Sequence, residues 1–377
     1  MDLSKARSYF PHIKEGIIYF NHAATSPLST LVTEKISEYT SERSYKWIDN
    51  FPRVGQFAKS TKEDLGQMLN CSPDRIAYTD NTTTGINILA RGLKLERGDR
   101  ILLNDIEFPA NVYPFLNLQK EGIEIDFIKS HDGVVSSEDI IQNIKAKTKV
   151  VSISFVQFLT GYKADLEKIG NYCHKNNIIF CVDAIQGLGA FRLDVQKCKI
   201  DFLSAGTQKW LMGLQGLAFV YLTEELQNKI DMKYVGWLSV ENAWDILDYN
   251  LKPLESADRY QNGTITHIGV YALRGALDLF LEFGWEEIEK QVLGNSIYLS
   301  EQLNKAGIKT LLSDCSKEFY SGIVSFKHDK SQKLYENLAE NKINCAVREG
   351  MVRLSPHFYN SKEECDKVAK VIKDFNN

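Results

Sequence analysis

Two side chains in the middle of this sequence have the type and setting for chemistry. The run Cys181-Val182-Asp183-Ala184-Ile185-Gln186-Gly187 follows an apolar, strand-like stretch, so Asp183 emerges where that strand ends, at the edge where open α/β sheets place ligands. By itself such an aspartate also reads as a turn or helix-capping residue. Farther along, Ser204-Ala205-Gly206-Thr207-Gln208-Lys209-Trp210 repeats the arrangement with a lysine beyond an apolar strand. Most lysines are solvated surface residues. A partly desolvated one loses some of its preference for the charged form, and its amine becomes free to condense with an aldehyde. A third segment, Asn81-Thr82-Thr83-Thr84-Gly85, stands between a strand-like run and a helical one. Helix amino termini attract phosphate through free N–H groups and the positive dipole end, and threonine hydroxyls add donors. The same run also reads as a simple N-cap.

An acid, an amine and a phosphate cradle at successive strand ends are together what a pyridoxal phosphate (PLP) ring requires. The acid keeps the pyridine nitrogen protonated, and the amine holds the aldehyde as a Schiff base.

Positioning these groups requires a sheet built from crossover units, and the pattern between residues 75 and 222 supplies one. Strands are predicted at Ile76 to Thr79, Ile101 to Leu103, Ile125 to Ile128, Val150 to Ser154, Ile178 to Val182, Phe202 to Ser204 and Leu217 to Leu222. Helical periodicity lies between them at Thr84 to Arg91, Val112 to Glu121 and Leu166 to Asn176, so the sheet is expected to be mostly parallel, with its last strand a candidate to run antiparallel. Beyond residue 265 two long helical stretches, Val270 to Phe283 and Trp285 to Ala306, lead into shorter strands and helices. The expected fold class is α/β, with a large domain over 16–264 and a smaller α+β C-terminal domain over 265–377 that residues 1–15 join.

A chain of 377 residues exceeds one ordinary core. Its 44% apolar and 25% charged residues are those of a globular protein, and a net charge of -4 gives no broad reason to bind nucleic acid or anionic membrane. Seven scattered cysteines without zinc or redox spacing point to a reduced compartment and to no metal. No stretch approaches the ~20 apolar residues of a membrane span, and the first residues lack a signal-peptide core. The expected location is the cytoplasm, and the expected partner a small molecule.

The joint pattern resembles the class V aminotransferase family of fold-type-I PLP enzymes, the branch that includes cysteine desulfurases and isopenicillin-N-epimerase-like proteins, over nearly the whole chain. Tyr19-Phe20-Asn21-His22-Ala23-Ala24 is similar to that family's amino-terminal segment, which implies substrate contact for Asn21 and His22. The resemblance puts Thr82 and Thr83 on the phosphate turn and Phe108 over the pyridine ring, where desulfurases carry histidine; Phe108 also reads as core. It puts Gln157 and Gln186 beside the phenolic oxygen, Gln157 in place of the desulfurases' asparagine. In the lysine motif Gln208 replaces a common histidine before Lys209, and Gly206 replaces a phosphate-binding serine, so this chain departs from the family at both. Arg259-Tyr260-Gln261-Asn262-Gly263-Thr264 resembles the segment whose threonine reaches the neighbouring subunit's phosphate, implying a homodimer with shared sites. Arg353 matches the arginine that clamps a substrate carboxylate; pairing with an acidic residue is its bland alternative.

The implied chemistry is amino-acid chemistry with Lys209 as general base and Asp183 as pyridine partner. Desulfurases need a nucleophilic cysteine on a mobile loop, whereas Cys345 lies in a strand-like run before a tight Glu349-Gly350 turn. Transamination is the predicted outcome. A cysteine, cystine or selenocysteine β-lyase, an epimerase, and a non-catalytic binding protein are the alternatives.

Overall fold

The computed structural model describes residues 1–376. Among these, the strands are β1 (Ile18–Tyr19), β2 (Ile76–Thr79), β3 (Arg100–Asn104), β4 (Glu124–Ile128), β5 (Thr148–Ser154), β6 (Ile179–Asp183), β7 (Phe202–Gly206), β8 (Ala218–Leu222), β9 (Val324–Lys327), β10 (Ile343–Asn344), β11 (Ala346–Arg348) and β12 (Met351–Leu354). Seven form the central sheet in the order β2-β8-β7-β6-β5-β3-β4. The antiparallel strand is β8, against both β2 and β7; the pairings among β3 to β7 are parallel. The sheet is therefore mostly parallel, as expected, and its chemistry-bearing strand ends share one edge.

Both faces of the sheet are covered, which is why its strands read as unbroken apolar runs. Phe180, Val182, Leu203 and Ala205 face one core, with Leu65, Ile169 and Leu273 from helices. Cys181 and Phe202 face the other, with Ile86 and Leu89 of the helix Thr82–Gly92. Asp183 follows the parity of Cys181 and Ser204 that of Phe202, so both point to the face on which this helix lies.

The helix packs tightly because Gly85 faces the sheet: a β-carbon there would lie 2.2 Å from Ser204 Oγ and 2.7 Å from Val220 Cγ1. Gly85→Ala is expected to destabilise the protein by about 1–3 kcal/mol through overpacking, measured by denaturant unfolding, and to weaken phosphate-ligand binding by shifting the helix start.

Two expectations change. The single helix expected over Val112 to Glu121 is a four-residue turn, Tyr113–Leu116, between 3-10 segments Pro109–Asn111 and Asn117–Glu121. Pro109 and Pro114 each stand in the first turn of their segments, where a missing N–H is tolerated, so they mark where those turns begin; the change to 3-10 geometry at Asn117 has no proline behind it. The cores also do not part at residue 265. Helix His267–Phe283 buries Val270, Leu273, Leu277 and Phe280 in the large core, while Ile18 and Phe20 join the smaller one through the parallel pairing of β1 with β10. We propose a division near Gly284 on this ground. The smaller sheet, ordered β11-β12-β9, packs Phe326, Val352 and Leu354 against Leu299, Leu334 and Val368 from three helices.

Candidate active site

Strands β6 and β7 end side by side, with Asp183 opposite Ser204, and the chain then turns through Lys209. Asp183 is buried and its Oδ1 accepts the Ile185 N–H at 3.1 Å. Burial pushes its pKa up to about 7, Glu107 adds to the rise, and Lys209 opposes it. Lys209 is pushed down to about 8, chiefly by burial; Asp183 favours its charged form, while Arg353 and Arg348 repel it. Acid and amine thus sit in one low-dielectric space, each shifted toward neutrality. Such opposed shifts at a strand edge are a mark of functional sites.

The turn bearing Lys209 is held from below. Ser26 Oγ donates to the Lys209 carbonyl and Ser26 N to the Gln208 carbonyl. Trp210 Nε1 donates to Gln186 Oε1 at 2.9 Å, and Gln186 Nε2 donates to the Ala23 carbonyl at 2.9 Å. Gln186 therefore ties the amino-terminal segment to the lysine turn, leaving one amide N–H for a ligand. The Gln208 side chain folds over Gly206, its Oε1 2.5 Å from where a β-carbon would sit. It occupies the space that a serine at 206 would need.

Lys209 Nζ lies 5.6 Å from the centroid of the Phe108 ring. That ring is 44% exposed, so it is not a core residue, and it meets Phe158 edge-on at 5.3 Å. Arg353 is 2% exposed, donates from Nη1 to the Phe158 carbonyl at 2.7 Å, and leaves Nε without a partner. Among the described residues no carboxylate pairs with it, which removes the ion-pair alternative. Burial and Arg348 lower its pKa to about 10. A buried guanidinium without a counter-charge is costly, so this site asks for an anion.

At the phosphate candidate, Asn81 caps the helix by accepting from Thr84 N at 2.9 Å. Thr82 Oγ1 is buried without a partner, whereas Thr83 is exposed. An orphaned buried hydroxyl at a helix start fits an incoming phosphate oxygen.

The remaining predicted residues lie in different settings. Gln157 is buried beneath the Phe108 segment, with Nε2 donating to the Ile106 carbonyl and Oε1 accepting from Leu159 N at 3.1 Å. Asn21 bridges to Ser355 through its backbone and keeps a buried, unpartnered Oδ1. His22 does not meet the expectation of substrate contact. It is fully buried, with Nδ1 2.8 Å from the Ser355 carbonyl and Nε2 2.9 Å from Tyr359 OH. A carbonyl only accepts, so Nδ1 carries the proton and Nε2 accepts from tyrosine; burial holds the ring neutral. Thr264 is exposed in a cleft of about 570 Å³ that it lines with Thr84, Asn87 and Tyr260, and that Lys209, Asp183 and Arg353 do not line.

Sequence reasoning gave no role to Glu107. It is buried and accepts from Asn104 Nδ2 at 2.7 Å, Asn111 Nδ2 at 3.2 Å, Ser154 N at 2.9 Å and Ser154 Oγ at 2.5 Å. It pins the Phe108 segment to β5 and adds negative field at Asp183. An acid one residue before an exposed aromatic, with asparagines at 104 and 111, was the available signal.

Across residues 18–368 the sequence matches the family model for aminotransferase class-V. The chain belongs to the aminotransferase class-V family. That membership implies PLP as cofactor. The chain is 27% identical to an uncharacterized aminotransferase, YcbU, of Bacillus subtilis (strain 168), over 95% of this chain and 94% of that protein. Its fold matches that of solved cysteine desulfurase structures. The apo cysteine desulfurase of Thermococcus onnurineus NA1 superposes with a TM-score of 0.88 at 24% identity, covering 99% of this chain and 97% of that one. The cystine C–S lyase C-DES, in a mutant with glycine covalently linked to its PLP cofactor, gives 0.87 at 24% identity, covering 98% and 99%.

Proposed function

We propose that this class V protein is an amino-acid aminotransferase whose PLP is held by Lys209. The observation that carries the reading is a Lys209 amine lowered to about 8 beside buried Asp183 and buried, unpaired Arg353, with its Nζ 5.6 Å from the centroid of the exposed Phe108 ring. Lys209 would hold the aldehyde, Asp183 the pyridine nitrogen, Phe108 the ring face, Gln186 and Gln157 the phenolic side, and Thr82, Thr83 and Gln208 the phosphate. When bound, PLP supplies an electron sink for charge that develops at the substrate Cα. Arg353 orients the substrate by its carboxylate, through the two parallel hydrogen bonds a guanidinium can offer. Asn21 offers a buried acceptor on the substrate side. Lys209, once free as an amine, takes the Cα proton at Nζ; with its pKa lowered to about 8, roughly a tenth of it is neutral at pH 7, against less than ~0.1% for an ordinary lysine.

Desulfuration through a protein thiol is disfavoured by the cysteines. Cys345 is buried, its thiol pushed up to about 12. The loop beyond it is a two-residue turn, Glu349 and Gly350, both at positive φ, a tight geometry with no reach. Among the described residues all seven cysteines are unpaired and every thiol is shifted upward by burial. Unpaired cysteines also support a cytoplasmic location.

The test supplies the PLP-loaded full chain with an amino-acid panel. The expected result is one keto acid per site without a second keto acid, and multiple turnovers when one is added. Continuous release of pyruvate and ammonia would establish a β-lyase instead, and inversion at Cα alone an epimerase. Failure to take up PLP would favour a non-catalytic binding role.

The same reading includes a homodimer. Trp244, Leu247 and Tyr249 stand out of the surface, the last 89% exposed, and Phe51 links them edge-on to the preceding helices through Trp244 at 5.2 Å. Exposed aromatic and aliphatic side chains grouped in this way are unusual on a monomer, and a second copy that covers them would accord with a Thr264 shared between subunits. Sedimentation is expected to give twice 42.9 kDa. Trp244→Asp with Tyr249→Asp is expected to give a monomer with weakened PLP binding; a wild-type monomer would contradict the shared-site reading.

A further inference from the structure

The hairpin that carries Arg353 carries a second arginine on the same face. In β11 and β12, Ala346 opposes Arg353 and Arg348 opposes Met351. Directly opposed residues share a face of an antiparallel ladder, as do alternate residues along one strand. Arg348 and Arg353 are therefore diagonal neighbours, roughly 7–8 Å apart in an ordinary ladder. The turn between them is short and fixed, with Glu349 at φ 49° and Gly350 at φ 74°, the twist that matches a two-residue hairpin.

The two guanidinium groups differ in setting. Arg353 is buried against the Phe158 carbonyl, whereas Arg348 is exposed and its Nη1 donates at 2.8 Å to the Val347 carbonyl beside it. Among the described residues neither has a carboxylate within ion-pairing distance. Yet the charge of Arg348 is felt inside, lowering the proton affinity of both Arg353 and Lys209. Three cationic groups thus crowd one site, and a substrate with a single carboxylate answers only one of the arginines.

We propose that Arg348 is a specificity residue that receives a second anionic group, at the end of the substrate side chain, so that the preferred substrates are amino acids with acidic side chains. This rests on the reading that Arg353 holds the α-carboxylate beside Lys209. A guanidinium that the ladder register sets beside Arg353 favours a side-chain anion over its neutral amide through a charge-assisted hydrogen bond.

The holoenzyme is titrated with aspartate, asparagine, glutamate and glutamine, following the cofactor's absorption band. Each acid is expected to bind at least about ten-fold tighter than its amide, as a charge-assisted hydrogen bond implies. In Arg348→Gln that ratio falls toward one, and Arg348→Lys recovers part of it. Equal binding of acid and amide by the wild type, or a ratio untouched in Arg348→Gln, overturns the assignment while leaving the amino-acid site standing. A band that no amino acid shifts overturns the site reading itself, and this inference with it.

Discussion

Lys209→Ala is expected to lower turnover by at least about 10²–10⁴-fold, the range for loss of a general base, compounded by loss of the cofactor's anchoring amine. The fold should survive. Lys209 makes no ion pair among the described residues and lies partly buried against the Phe108 ring, so alanine removes a strained cation rather than a strut. A second signature comes from the cofactor-free wild type. An exposed lysine titrates near ~10.4, whereas the Lys209 amine, pushed down to about 8 chiefly by burial, is expected to react with an acylating reagent half-maximally near pH 8. Peptide mapping of the acylated protein across pH measures both its rate and its position.

Asp183→Asn is expected to cost about 10²–10³-fold in turnover, as removal of a charge aimed at a developing transition state does. Its effect on stability should have the opposite sign. In the folded protein the Asp183 proton is lost near pH 7, in the unfolded chain near ~3.9. Between those values the unfolded chain is ionised while the folded protein keeps its proton, so wild-type stability falls as pH rises through that window. The cost is fully present above pH 7. The cofactor-free Asp183→Asn variant should therefore melt above wild type at pH 8, and the advantage should vanish toward pH 4. A variant that is both inactive and less stable at pH 8 would mean that Asp183 holds the fold rather than the chemistry.

The sequence shows local patterns well and convergent ones poorly. Strands β2 to β8 are legible because a sheet covered on both faces writes continuous apolar runs between helical stretches. Asp183 and Lys209 are legible because each stands just past such a run. Helix Thr30–Tyr45 leaves no such mark: within it only Val32 and Glu42 are buried, so no apolar stripe betrays it. His22 reads as a polar residue at a ligand edge, yet its partners, Ser355 and Tyr359, come from more than three hundred positions away. The side taken by helix His267–Phe283 fails to show for the same reason: it is apolar enough for either core, and only packing decides which. Arg348 and Arg353 look unrelated until the ladder register sets them on one face.

The most direct test of the account is to reduce the PLP-loaded protein with borohydride, digest it and locate the label by mass spectrometry. A phosphopyridoxyl group on the peptide containing Lys209, and on no other lysine, is the predicted result. A label on a different lysine, or none with PLP in excess, would contradict it.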